Sequence, residues 1–492
     1  MNIWNIYKSR LILVSNLALA GTLSGSSLPP LAAVVSKELF SVGVQANTDS
    51  ALAAVRRQDR DVRNAKGVMT RLSPDEHLRR AAIYLANRAF EEAREHWQAL
   101  IIYYPNDPRV AQALLGMGRS YFQSRRYMEA YDAYDRLARE YPATKEGREG
   151  LNFSAASLLR LGKTSEAADR YIQYITRFPD GERIDTAHLN AIDTLREAGR
   201  IQEALAWVAR TRQRFAGTPT ATNALFGRLR LEISEGNWKH AITTADELSG
   251  ASFQKGVATS PSEVAYLKAY SLERAGRQAQ AYAGYLAIPA DIDSYYGWLA
   301  TDHLASVADG RSRGFAGDRI ERMKEQIDPV ADRYPAPYRQ IIVNAARARK
   351  LDPRFVLALI KQESDFRPLA KSPSGARGLL QLTIDAAQKY AAHAGMKVVE
   401  ESQLYQPETS IRLGSEYLAE LATLFPNLPE AVAASYNGGE DNVARWVRRA
   451  KQKDAGVFTS EVGFDETKAY VQKVMNNYRV YQQLYTADLR KK

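Results

Sequence analysis

LLGMGRSYFQSRRYMEAYDAYDRLAREYP, residues 114–142, decides the fold. It reads as helix, turn, helix, and then an aromatic-proline stop. Its landmarks recur along the chain in one register. Tyr104-Pro105, Tyr141-Pro142, Phe178-Pro179 and Phe215 fall 37 residues apart, and so do Ala93, Ala130, Ala167, Ala204 and Ala241. Phe90, Tyr127, Thr164, Ile201 and Trp238 keep the same step, as do Gly162, Gly199 and Gly236. A fixed period of about 20–50 residues is the mark of a solenoid. The small alanine lets the second helix of each unit approach the first. The aromatic covers the seam between them, and proline, lacking an N–H, ends the helix. About five units cover residues 75–250, and 259–289, around SEVAYLKAYSLERAGRQAQAYAGYLAIPA, reads as a sixth after an insertion.

Within the quoted stretch, Gly118, Tyr121, Tyr127, Ala130, Tyr134 and Pro142 resemble the positions of a tetratricopeptide repeat. The 37-residue unit is longer than that family's usual length of about 34. The resemblance implies a helical-repeat arm over 75–289. Such an arm either offers a groove to a protein or peptide partner or serves architecture alone.

The remaining bulk properties frame this arm. A chain of 492 residues calls for roughly two to four domains. Hydrophobic content of 45% and charged content of 25% are those of a globular protein. Alanine and leucine recur at helical spacing and β-branched runs are few, so the expected class is all-α. The start reads as a secretory signal over 1–33. Lys8 and Arg10 precede the short apolar run LILVSNLALA, and small residues at Ala20 or Ala32 and Ala33 offer cleavage points. With no cysteine in the chain, a lipid-anchored form is not expected, and the expected compartment is a bacterial periplasm. No later stretch approaches about 18 apolar residues, so no transmembrane segment is expected in the mature chain.

Net charge is +11, from 67 Lys and Arg against 56 Asp and Glu. That excess suits solvated faces or an anionic polymer. No zinc-finger spacing or aromatic-basic strand pattern points to nucleic acid. With six histidines, no cysteine and no His-x-x-x-His spacing, no metal and no cofactor are expected. Residues 34–74 read as a lead segment and 290–337 as a helical linker, with Tyr295, Tyr296, Trp298 and Leu299 as buried anchors and RSRGFAGD (311–318) as a loop.

The chemistry points to LALIKQESDFRPLAKSPSGARGLLQL, which runs from Leu357 to Leu382. Asp352-Pro353 is a helix start, an N-cap followed by proline at the first helical position. Val356, Leu359 and Ile360 form an apolar stripe, and Glu363 lies seven residues beyond Val356 on that same face. Pro368 stops the chain soon after. Apolar neighbours and the negative end of the helix dipole both raise the pKa of such a carboxyl. A glutamate protonated near neutrality serves glycoside cleavage as a general acid. Helix geometry alone also fits a glutamate at the edge of an apolar face that reaches water.

Residues 338–487 closely resemble the lysozyme-like domain of soluble lytic transglycosylases, whose larger members carry a superhelical arm before it. The matching pieces are KQESDF (361–366), SPSGARGLLQ (372–381), ETSIRLGSEYLAEL (408–421), SYNGG (435–439) and FDETKAYV (464–471). The resemblance implies a mainly helical catalytic domain with Glu363 as the acid/base. It implies that Ser372, Gly375, Ala376 and Gln381 lie on a loop and strand lining a sugar cleft. Tyr436 and Asn437 are then an aromatic-amide pair facing the reacting sugar, and Glu466 is the acid of the late motif. The family usually has Met-Pro where Thr383-Ile384 stand, so Thr383 takes the place of a methionine that packs on the glycan. Gly438 replaces a usual alanine, and Gly463 a usual proline. The implied reaction cuts the β-1,4 bond between N-acetylmuramic acid and N-acetylglucosamine in peptidoglycan and leaves 1,6-anhydromuramoyl ends. Two rivals are a hydrolytic muramidase, in which Asp365 or Glu466 would have to reach the reacting centre, and a non-catalytic cell-wall-binding scaffold.

Overall fold

The computed structural model describes residues 49–64, 67, 69–306, 310–372 and 375–492. The expected signal segment, residues 34–48 of the lead, and Pro373 and Ser374 lie outside the described residues. The protein is all-α, as expected: among the described residues there are 23 α-helices and no strands. The extended pairings described are four isolated bridges.

The chain divides into two compact units. One runs to Arg228 and takes in Gln254–Gly256; the other is formed by Leu229–Phe253 and Val257–Lys492. The first unit consists of helix pairs. Second helices begin at Phe90, Tyr127, Thr164 and Ile201, and the series continues at Trp238 in the second unit. This is the 37-residue register of the sequence. Ala93, Ala130, Ala167, Ala204 and Ala241 are all fully buried, as a close helix seam requires. The turn before each second helix needs a left-handed residue. Glycine supplies it at Gly162, Gly199 and Gly236, while Arg88 and Arg125 adopt positive φ at the same register. The helices end on the aromatics. Tyr104, Tyr141 and Phe178 each donate a last bond to the carbonyl four residues back, and the following proline can donate no other.

In the second unit, Tyr295, Tyr296, Trp298 and Leu299 are buried on the Tyr295–Ser306 helix. The expected loop at 311–318 is instead part of the Gly310–Ile327 helix. Its glycines suggested a break, but packing overrides their low helix propensity. Ala316, Met323 and Ile327 are buried at helical spacing. Arg319, also buried, donates from Nε to Thr301 at 2.8 Å and from a terminal nitrogen to the Ile288 carbonyl at 2.9 Å.

The Pro353–Ser364 helix belongs to this unit and carries Glu363. Asp352 caps it by accepting from the Arg354 N–H at 2.9 Å. Phe355 through Ile360 are buried without a polar interruption. The helix packs against Arg339–Arg347 and against the long Asp465–Leu484 helix.

Candidate active site

Glu363 occupies the last turn of the Pro353–Ser364 helix. Asp365 and Phe366 then take the left-handed region, at φ 46° and 62°, and turn the chain away sharply. The Glu363 side chain is half-buried. Tyr470 Oη, from the Asp465–Leu484 helix, donates to Glu363 Oε1 at 2.6 Å. Burial pushes the Glu363 carboxyl up to about 7, against the opposing effect of the Tyr470 bond. The glutamate therefore titrates near neutrality, where it can both give and take a proton.

The turn facing the helix end is built from several directions. Ser364 Oγ donates to the Leu379 carbonyl at 2.9 Å, and Tyr436 Oη to the Leu380 carbonyl at 2.6 Å. Ser410 Oγ accepts from the Leu380 N–H at 3.1 Å. A Cβ on Gly414 would stand 2.3 Å from Leu380, which explains the small residues of the 408–421 motif: they seat this turn. At Gly378, φ is +79° and a Cβ would meet the Leu404 carbonyl oxygen at 1.9 Å. Glycine is required there for both conformation and space.

The residues expected at the cleft take distinct places. Ser372 and Ala376 close a short turn on each other. The Ser372 N–H donates to the Ala376 carbonyl at 2.9 Å, and Ser372 Oγ accepts from the Ala376 N–H at 3.0 Å. Gly375 holds φ +79° inside that turn. The expected strand is absent among the described residues. Isolated bridges link Lys371 with Arg377 and Arg377 with Leu382, because Gly378 and Gln381, at positive φ, bend the backbone out of an extended run. Gln381 is buried, and its Nε2 donates to the Gly378 and Ala370 carbonyls at 2.8 and 3.1 Å. Thr383 is buried as the N-cap of Ile384–Ala391, its hydroxyl accepting from the Ala386 N–H at 3.3 Å.

Tyr436 is buried in an aromatic row with Tyr417, ring centroids 5.0 Å apart, and Tyr417 stacks on Tyr390. Burial and the nearby Glu363 charge together hold the Tyr436 hydroxyl well above its ordinary range. Asn437 Oδ1 accepts from Thr467 Oγ1 at 2.6 Å. Glu466 is exposed in the first turn of the Asp465–Leu484 helix, one turn before Tyr470 and so on its side of that helix. Asp365 is exposed and pairs with Lys361 at 3.3 Å. The structure thus brings together Glu363, Tyr436 and Tyr470, with Asn437 next to Tyr436 on the Pro429–Gly438 helix and Thr467 one turn before Tyr470 on the Asp465–Leu484 helix. Tyr470, which lies in the FDETKAYV motif, is the hydrogen-bond partner of Glu363.

Residues 340–458 match the transglycosylase SLT domain. Residues 78–143 and 155–219 match a tetratricopeptide repeat. The SLT match takes in Glu363, Tyr436 and Asn437 and stops before the helix that carries Glu466 and Tyr470. A putative soluble lytic murein transglycosylase of Haemophilus influenzae is 34% identical over 158 residues, 32% of this chain and 26% of the relative. The soluble lytic murein transglycosylase of Escherichia coli K12 is 30% identical over 165 residues, 33% of this chain and 25% of the relative. The similarity to these relatives thus spans about a quarter of their length. An inactive glutamate-to-glutamine mutant of the lytic transglycosylase Slt from Pseudomonas aeruginosa has the same fold. Its TM-score is 0.50 at 17% identity, covering 91% of this chain and 89% of that one.

Proposed function

We propose that the chain is a lytic transglycosylase of peptidoglycan that works in the periplasm with Glu363 as its single acid/base. One observation carries the reading: a half-buried glutamate at a helix end, held by a tyrosine and titrating near 7, inside a region that matches the SLT domain. The relatives named as soluble lytic murein transglycosylases support the substrate class.

Protonated Glu363 gives its proton to the glycosidic oxygen as the bond from C1 of N-acetylmuramic acid breaks. The sugar's own 2-acetamido group and nearby hydroxyl and amide donors stabilise the cationic state. The carboxylate then takes the proton of the muramyl C6 hydroxyl, whose oxygen closes on C1. The product is a 1,6-anhydro end, and no water is consumed. A hydrolase would need a second carboxylate at about 5 Å for retention or about 6.5–9.5 Å for inversion. Asp365, turned to Lys361, does not suit that part. Ser372, Gly375, Ala376, Gln381 and Thr383 act through the shape of the turn beside the cleft. Tyr436, Asn437 and Glu466 flank the reacting sugar. Mass spectrometry of muropeptides released from sacculi in isotopically heavy water tests the reading. Anhydro ends without label support it, and reducing ends carrying label refute it.

A further inference from the structure

The Asp465–Leu484 helix has two sides of different construction. Tyr470 and Thr467 reach Glu363 and Asn437. Lys468 stands two positions before Tyr470, about 200° around the helix axis, and faces away from Glu363. Its ammonium meets the two carboxylate oxygens of Glu263 at 2.6 and 2.7 Å and the Ala258 carbonyl oxygen at 2.9 Å. Those acceptors match the three protons of a lysine. Glu263, on the Pro261–Arg274 helix, also accepts from Tyr296 Oη at 2.8 Å and Thr259 Oγ1 at 2.9 Å. The paired side chains are 8% and 1% exposed. Further along the helix, Asn476 donates to the Asp293 carbonyl at 2.6 Å, and Arg479 pairs with Asp302.

A buried ion pair is a weak source of stability. Two well-packed apolar side chains in its place are often as stable or more so, whereas removing one partner strands a buried charge. What a fully satisfied pair provides is one geometry. An apolar contact tolerates a small rotation or slide of the helix, and a lysine held by three acceptors does not.

We infer that Glu263 and Lys468 are positioning residues of the reaction: their buried pair fixes the rotation and axial register of the Asp465–Leu484 helix, and so delivers Tyr470 to Glu363. This rests on the proposed role of Glu363. The pair does not touch the substrate. It sets the geometry of the group that does.

The test uses full-length Glu263→Leu, Lys468→Met and the double variant. Melting temperature, release of fragments from soluble glycan strands and the pH profile of kcat are measured against wild type. Fragment release counts every broken glycosidic bond, so a hydrolytic wild type would refute the proposed product without touching this inference. The single variants strand a charge and melt lower. The double variant regains melting temperature, yet its kcat falls roughly 10–100-fold while KM stays within about twofold, the signature of misplaced chemistry rather than lost binding. The alkaline limb of its profile moves to higher pH, because Glu363 loses the Tyr470 bond that holds its pKa down. A double variant with wild-type kcat and a wild-type limb overturns the inference. If the double variant does not fold, Lys468→Arg carries the test, since it keeps the charge but puts a planar guanidinium where three acceptors fit an ammonium. Lower kcat with the limb moved upward supports the inference, and a wild-type kcat and limb refute it.

Discussion

Burial and one hydrogen bond act on Glu363 in opposite directions, and a substitution at Tyr470 separates them. Burial raises its pKa and the Tyr470 hydroxyl lowers it, with a balance near 7. In Tyr470→Phe the pKa rises. Bond cleavage that needs the protonated acid is lost as pH climbs through that pKa, so the alkaline limb of kcat should move upward, as a pH–rate series will show. Stability follows the same group. A carboxyl whose folded pKa lies above its ordinary 4.5 favours folding fully below that value and loses this contribution as pH rises through about 7. Glu363→Gln does not titrate. Its melting temperature should match wild type near pH 4 and exceed it increasingly toward pH 7, as paired thermal melts will reveal. The position of Glu363 was legible in the sequence, because it continues the stripe of Val356, Leu359 and Ile360, while its role as the acid came only with the family resemblance. Tyr470 was not legible, since no local rule pairs a tyrosine with a carboxylate 107 residues away.

Elements were legible where the pattern repeats and harder to read where tertiary contacts decide. Each second helix of the arm starts in the register set by Phe90, Tyr127, Thr164, Ile201 and Trp238, because one packing problem is solved again in every unit. The Gly310–Ile327 helix is masked in the sequence by Gly314 and Gly317, which resemble turn punctuation. Ala316, Arg319 and Met323 are buried on its packed side. The Gly378–Thr383 turn shows the same limit, since the backbone path decides where Gln381 and Thr383 face. Thr383 caps the Ile384–Ala391 helix. Thr383→Ala should therefore cost about 1 kcal/mol of stability, the usual worth of an N-cap, and Thr383→Ser should keep most of it. Chemical denaturation of the three proteins measures this. A loss of glycan affinity at unchanged stability would instead make Thr383 a substrate contact.

At the scale of the molecule, the matched domain is smaller than the compact unit that contains it. The SLT match begins at residue 340, while the unit takes in Leu229–Phe253 and everything after Gly256. Several upstream side chains pack into it. Tyr266 lies so close to Gly456 that a Cβ there would stand 2.2 Å from the ring, and Tyr295 Oη bonds Thr459 Oγ1 at 2.9 Å. A fragment spanning 229–492 should unfold cooperatively and cleave sacculi, whereas one spanning 330–492 should melt lower, having lost Tyr266, Tyr295 and the partner of Lys468. Equal melting temperatures would mean that this packing contributes nothing.

Whether one glutamate does the chemistry is decided by digestion of purified sacculi by wild type and Glu363→Gln side by side, with released muropeptides counted by mass and bound protein counted by sedimentation. General acid–base catalysis is typically worth about 10²–10⁴-fold, and a group serving both proton transfers belongs at the upper end. The variant should bind sacculi as wild type does and release almost no anhydro-muropeptide. Near-normal release by Glu363→Gln would take the proton transfers away from Glu363.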